Sequence, residues 1–243
     1  MTARPPRARE VLALLDDAAV AASVLELSAA LAGVVQRDLA VVYVESESAL
    51  SAAALPVTSV LAHAGAQWAP FAPQDVERGY RAQAARLRQL IAHLPARYAV
   101  RCSMRVTRGA LQQTALDLLT EADLILVGSM SSAAALSARQ APRTRGRLVV
   151  TALSDGTASG DAAVSLARRV AAALEAVVHV TRVELGAAGG AAALAESMRS
   201  DLLVVPHALL DAQAMAKLAC TTLLVGEGAS TADSVERPHE SAR

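Results

Sequence analysis

Asp16-Asp17 and Asp155-Gly156-Thr157 each close a run of apolar residues, Val11-Leu12-Ala13-Leu14-Leu15 in one case and Val149-Val150-Thr151-Ala152-Leu153 in the other. An acid at the end of a buried strand can accept hydrogen bonds from a ligand, or it can cap the helix that follows. Asp17, just before Ala18, suits the capping role, and Asp155-Gly156-Thr157 has the same two readings. A third apolar run, Asp123 to Val127, ends in Gly128-Ser129, with Ser131 close behind. Glycine there would let backbone amides approach a phosphate, and a helix N-terminus would favour its charge. The loop beyond carries Arg139, Arg143, Arg145 and Arg147. Those guanidinium groups suit an anionic ligand, or a solvated linker punctuated by Pro142 and Gly146.

Other chemistry finds less support. Ser129, Ser131 and Ser132 form no Gly-x-Ser-x-Gly elbow, and Asp155 and His179 belong to no evident triad. The glycines of Gly186-Ala187-Ala188-Gly189-Gly190 have the wrong spacing for a dinucleotide loop. Cys102 and Cys220, and the five histidines His63, His93, His179, His207 and His239, show no metal-ligand spacing. The cysteines read as small buried hydrophobes. His207 follows an expected strand end, where ligands often bind. The expectation is therefore a protein without catalysis and without a resident metal.

The elements that must position these residues follow from periodicity. Residues 10–16 read as a strand buried on both faces. Val20, Val24, Leu27, Leu31, Val34 and Val35 recur at helical spacing within 18–35. Residues 40–44 read as a second strand, so the order strand–helix–strand implies parallel pairing through a right-handed crossover. A helix is expected over 74–94, and Tyr98 to Thr107 alternates like an edge strand. Gly109 then opens helix 110–121, and 123–128 returns as a central strand. The second half reads strand 148–153, helix 159–175 with Ser159 as N-cap, strand 176–183, helix 190–199, strand 201–206, helix 208–218 and strand 221–225.

This is one layout, used twice. Ala122-Asp123-Leu124-Ile125-Leu126-Val127 is echoed by Ser200-Asp201-Leu202-Leu203-Val204-Val205. Asp16 and Asp123 lie 107 residues apart, Asp155 and Asp201 only 46. The difference nearly matches segment 46–107, so the second copy resembles the first with one α/β unit removed. Expected units are 9–147, a truncated 148–228 and a disordered tail 229–243. Strand 148–153 also suits the role of last strand of the first copy.

Composition sets the outer bounds. The formal charge of +0 and 2% aromatics give no electrostatic case for nucleic acid or a membrane surface. Residues 48–74 carry no charged side chain, but Pro56, Pro70, Pro73 and Gly65 make a poor membrane span. That segment reads as an apolar surface loop. It holds Leu61 and the chain's one Trp and one Phe, Trp68 and Phe71. Loops of this kind cover something or meet a partner, which makes these three residues interface candidates. Asp16 and Asp17 interrupt the N-terminal apolar stretch too early for a signal peptide, so a cytoplasmic protein is expected.

Taken in order, these motifs resemble the universal stress protein family, in tandem and partly truncated form. Asp155-Gly156-Thr157 matches the family's Asp-Gly-Ser strand end closely and Asp16-Asp17-Ala18 loosely. Arg108-Gly109 through Ser129 matches its Gly-turn, helix and Ala-Asp-Leu-Ile-Val-Val-Gly-Ser block. Ala219-Cys220-Thr221 through Val225 matches its last strand, with Thr221 in place of proline. The resemblance implies an α/β fold, a doubly wound parallel (Rossmann-like) sheet of two related units, with ligands outside the strand carboxyl ends. Asp16, Gly128 and Asp155 would sit at such ends, and the family's acid contacts the adenine and ribose side of the ligand. The family's nucleotide binders carry Gly-x-x-Gly, nine residues, then Gly-Ser or Gly-Thr. Here Gly128 stands, but Ser131 replaces the second glycine and Ala141-Pro142 the distal pair. The expected function is a non-catalytic stress-response regulator acting through a homodimer or a protein partner. The alternative is a sensor of ATP, ADP, AMP or another anion, built on Asp16, Asp17, Gly128, Ser129, Ser131, Asp155, Gly156, Thr157, Arg139 and Arg143.

Overall fold

The computed structural model describes residues 8–18, 20–55, 59–62, 67–70, 72–128, 147–183, 200–216, 218 and 220–229. The first strand, β1 (Ala8–Leu15), leads into α1 (Ala21–Val35) and β2 (Asp38–Ser46). Next come α2 (Glu47–Ala53), a small hairpin of β3 (Ser59–Ala62) and β4 (Gln67–Pro70), α3 (Pro73–Ala92) and α4 (Leu94–Tyr98). β5 (Cys102–Gly109), α5 (Leu111–Leu118) and β6 (Ala122–Gly128) complete the first half. The second half holds β7 (Val149–Ser154), α6 (Ala158–Ala173), β8 (Val177–Arg182), β9 (Leu202–Pro206), a 3-10 turn at His207–Leu209, α7 (Ala212–Ala216) and β10 (Thr221–Val225).

Eight strands form one sheet in the order β5-β2-β1-β6-β10-β9-β7-β8. β1 pairs parallel with β2 and β6, and β2 pairs parallel with β5. β7 pairs parallel with β8 and β9, and β9 with β10. The two blocks meet at an antiparallel seam, where Leu223 of β10 lies opposite Leu126 of β6. The fold is thus α/β, with a mainly parallel sheet. The seam corrects one expectation: β10, not strand 148–153, lies beside β6.

Strand alternation divides the core between the two faces. Val11, Ala13, Leu15, Leu124, Leu126, Val204 and Leu223 point to the face covered by α1, α3 and α6. Leu12, Leu14, Ile125, Val127, Leu203 and Leu224 point to the face covered by α5 and α7. α1 and α6 come from different halves, and Arg169 of α6 donates to the Val34 carbonyl at the end of α1 (2.9 Å).

Several local expectations change. Helix α1 starts at Ala21, with Val20 rather than Asp17 at the N-cap position. Thr157, not Ser159, caps α6 by accepting from the Gly160 amide (3.2 Å). Part of the expected uncharged loop is ordered: Ser46 caps α2, and Leu61 lies opposite Trp68 in the hairpin. The interface candidate Phe71, helix 190–199 and the tail beyond Ala229 lie outside the described residues. Among the described residues no helix is long and apolar enough to cross a membrane.

Candidate functional site

Because the blocks run in opposite directions, their strand carboxyl ends lie on opposite edges of the sheet. Asp16, Asp17 and Gly128 mark one edge; Asp155, Gly156 and Thr157 mark the other. The described candidates therefore fall into two separate groups. Ser129, Ser131, Arg139 and Arg143 lie outside the described residues. Arg147 donates to the Glu175 carbonyl (2.9 Å), at the turn before β8.

In a doubly wound sheet the ligand crevice opens where strand order reverses. In the first block that point lies between β1 and β6. The two strands stay paired to their last residues, Leu15 opposite Gly128. Gly128 is filled in from the helix side: a Cβ there would lie 2.5 Å from Val24 Cγ2 and 3.0 Å from Leu15 Cδ2. Its glycine therefore serves close helix–strand packing. Nearby, Tyr43 donates to Gln83 Oε1 (2.8 Å) and Tyr80 to the Ser46 carbonyl (3.0 Å), tying α3 to the end of β2. Arg108 pairs with Glu45 on the same rim (3.0 Å). Burial first, then the neighbouring Tyr80, Glu45, Asp17 and Asp16, push the Tyr43 hydroxyl well above its ordinary range.

The second block differs. The ladder between β7 and β9 ends at Ala152 opposite Val204. Both strands run two residues further, to Ser154 and Pro206, so they part before their ends. Asp155 follows on one side of this opening and His207 on the other. Asp155 Oδ1 accepts from the Thr157 amide (3.0 Å) and hydroxyl (2.5 Å). Burial works against its charge, but the Thr157 hydrogen bonds outweigh it and hold the carboxyl below its ordinary range. Gly156 adopts φ 77°, which glycine takes without strain. A Cβ on it would lie 3.2 Å from an Arg182 Nη2, so the guanidinium rests on the turn itself. Local capping thus accounts for one Asp155 oxygen. The other, Oδ2, is buried without a hydrogen-bond partner, and so is His207 Nδ1. Buried polar atoms without protein partners are rare, and water or a ligand commonly satisfies them.

Arg182 had no signal in the sequence, because its role depends on which strand lies beside β7. His207 was visible only as a residue after a strand.

Elsewhere, a recess lined by Gln112, Val127, Met215, Leu218, Cys220 and Thr222 has a volume of ≈ 10 Å³, about the room of one water. Cys102 is half-buried, and burial, then Asp38, pushes its thiol up, away from a reactive thiolate. Among the described residues no cluster of His, Cys, Asp or Glu could hold a metal.

No family model and no curated protein matches the chain. Among solved structures, a universal stress protein from Archaeoglobus fulgidus DSM 4304 aligns over 92% of this chain and 100% of its own, at 8% identity and a TM-score of 0.43.

Proposed function

We propose that this chain is a non-catalytic regulatory or interaction protein that does not hold a nucleotide through a glycine loop. The supporting observation is the first-block switch point: β1 and β6 are paired to the end, and Val24 occupies the space a Gly128 side chain would need. A second reading, sensing of a small anionic ligand such as an adenine nucleotide, is favoured by the second-block opening. There the unsatisfied Asp155 Oδ2 suits a hydroxyl or amino donor, and Arg182 suits an anionic group.

One experiment separates the two. Thermal unfolding is followed with millimolar ATP, ADP, AMP and inorganic phosphate, for the parent chain and for Asp16→Ala, Arg182→Ala and His207→Ala. A ligand at a hundredfold its dissociation constant stabilises by about 2.7 kcal/mol. The first reading expects no shift. A shift kept in Asp16→Ala but lost in Arg182→Ala and His207→Ala replaces it with the second. A shift lost only in Asp16→Ala overturns the first reading and moves the ligand of the second to the end of β1.

A further inference from the structure

The two edges of the sheet are defended differently. β5 ends one side, with one arginine just before it and two along its length. Arg101 pairs with Asp38 (2.7 Å), Arg105 with Glu121 (3.5 Å) and Arg108 with Glu45 (3.0 Å). Charged side chains on an edge strand discourage another strand from joining it. β8 ends the other side, and the run Val177-Val178-His179-Val180-Thr181 bears no Asp, Glu, Lys or Arg. Val177 and Val180 are 36% and 46% exposed.

β8 is also the topological counterpart of β2. Each follows the first strand of its block through a long helix and pairs parallel with it. β2 has a neighbour on its far side, β5, in register from Leu39–Cys102 to Ser46–Gly109. β8 has none. Its backbone is set up for one. The Val177 amide donates to the Leu148 carbonyl and the Val183 amide to the Ser154 carbonyl. Odd-numbered residues therefore face β7, and alternation turns the amides and carbonyls of Val178, Val180 and Arg182 toward the open edge.

We propose that β8 pairs antiparallel with β8 of a second copy of this chain, joining two sheets across a two-fold axis. The symmetry fixes the register. An axis perpendicular to the sheet keeps each side chain on its own face, so facing residues must be both odd or both even. Placing His179 on the axis sets Val178 of one copy opposite Val180 of the other, twice, as hydrogen-bonded pairs. Val180 then gains an apolar neighbour on the same face, and Val177 lies opposite Thr181. The charges agree as well. Exposed Glu175 lies just before β8 and exposed Arg182 ends it. An antiparallel two-fold brings the acidic end of each strand to the basic end of its partner. Such isologous pairing is the commonest form of self-association. The inference does not rest on either functional reading, although it shares Arg182 with the second.

Sedimentation and light scattering of the full chain across the micromolar range test it. The parent is expected at twice 25.0 kDa. Val180→Lys, and separately Val180→Pro, should reduce it to 25.0 kDa with the circular dichroism spectrum unchanged. The proline removes an amide that faces outward and spares the bonds to β7. Val106→Lys on the β5 edge should leave the dimer intact. His179→Cys should form an interchain disulfide under mild oxidation that the parent, with Cys102 and Cys220 alone, does not form. Non-hydrogen-bonded pairs bring facing Cα atoms to roughly 4.5 Å, within disulfide reach. A parent that stays monomeric overturns the proposal. A dimer that survives both Val180 variants, or is lost in Val106→Lys, overturns it too.

Discussion

A methyl group at position 128 would collide with a side chain that cannot easily move. Val24 is fully buried, and as a β-branched residue in a helix it is held in one rotamer. Gly128→Ala is therefore expected to destabilise the protein by about 1–3 kcal/mol, the usual range for overpacking a core. Val24→Ala should relieve much of that loss, so the double mutant should be less destabilised than the sum of the singles. Urea unfolding of the four proteins checks this. Additive losses would mean that the strand end tolerates a side chain and that packing is not why glycine stands there. The same distinction explains what the sequence made legible at this scale. Gly128 was visible as a glycine, but a residue type does not say whether its missing side chain makes room for a ligand or for Val24. The repeated Asp of the two strand openings has a structural answer as well. Asp201 Oδ2 accepts from the Val149 amide (2.9 Å), and Asp123 lies 3.9 Å from Arg37 at the start of β2. Asp201 ties the start of β9 to its neighbour β7, whereas Asp123 faces a residue beyond β1, which lies between β6 and β2. Beside Asp201, Ser200 also shares a hydrogen bond with Thr151 of β7.

Among the elements, β2 and α3 are joined through aromatic hydroxyls in a chain with 2% aromatic residues. Tyr43 is fully buried and meets Tyr80 edge-on, with ring centroids 6.3 Å apart. Since burial holds the Tyr43 proton on in the folded state, the unfolded chain releases it first, near pH 10. Stability from this group is complete below that pH and is lost as pH rises above it. Each further pH unit costs about 1.4 kcal/mol while the folded proton persists. Tyr43→Phe should flatten the decline of the melting temperature above pH 10. It should also cost about 1 kcal/mol at pH 8, where the bond to Gln83 is lost. Tyr80, raised chiefly by burial, leaves a residual slope. An unchanged alkaline slope would remove Tyr43 from its cause. Most elements were legible because strands buried on both faces and amphipathic helices leave distinct patterns. The hairpin of β3 and β4 was not, since four-residue strands in an uncharged stretch carry too short an alternation.

At the scale of the whole molecule, the antiparallel seam was the feature the sequence could not reveal. β6 and β10 are buried at every position, and a strand buried on both faces carries no mark of its neighbour's direction. The seam decides how the halves depend on each other. Leu223 and Val225 of β10 share a core with Leu124 and Leu126 of β6, and on the same face Val24 and Leu31 of α1 share it with Ala163 and Val170 of α6. Neither half can keep that core when cut from the other. Residues 1–147 alone would bare the edge of β6. Residues 148–243 alone would bare β10, whose Thr221-Thr222-Leu223-Leu224-Val225 has no charge to discourage association. The full chain should unfold by urea in one cooperative transition. Each fragment should lack a cooperative transition, with 148–243 prone to aggregate, and mixing the two should restore a folded spectrum. If either fragment unfolds cooperatively on its own, the halves are autonomous, and the seam is a contact between finished domains rather than part of one core.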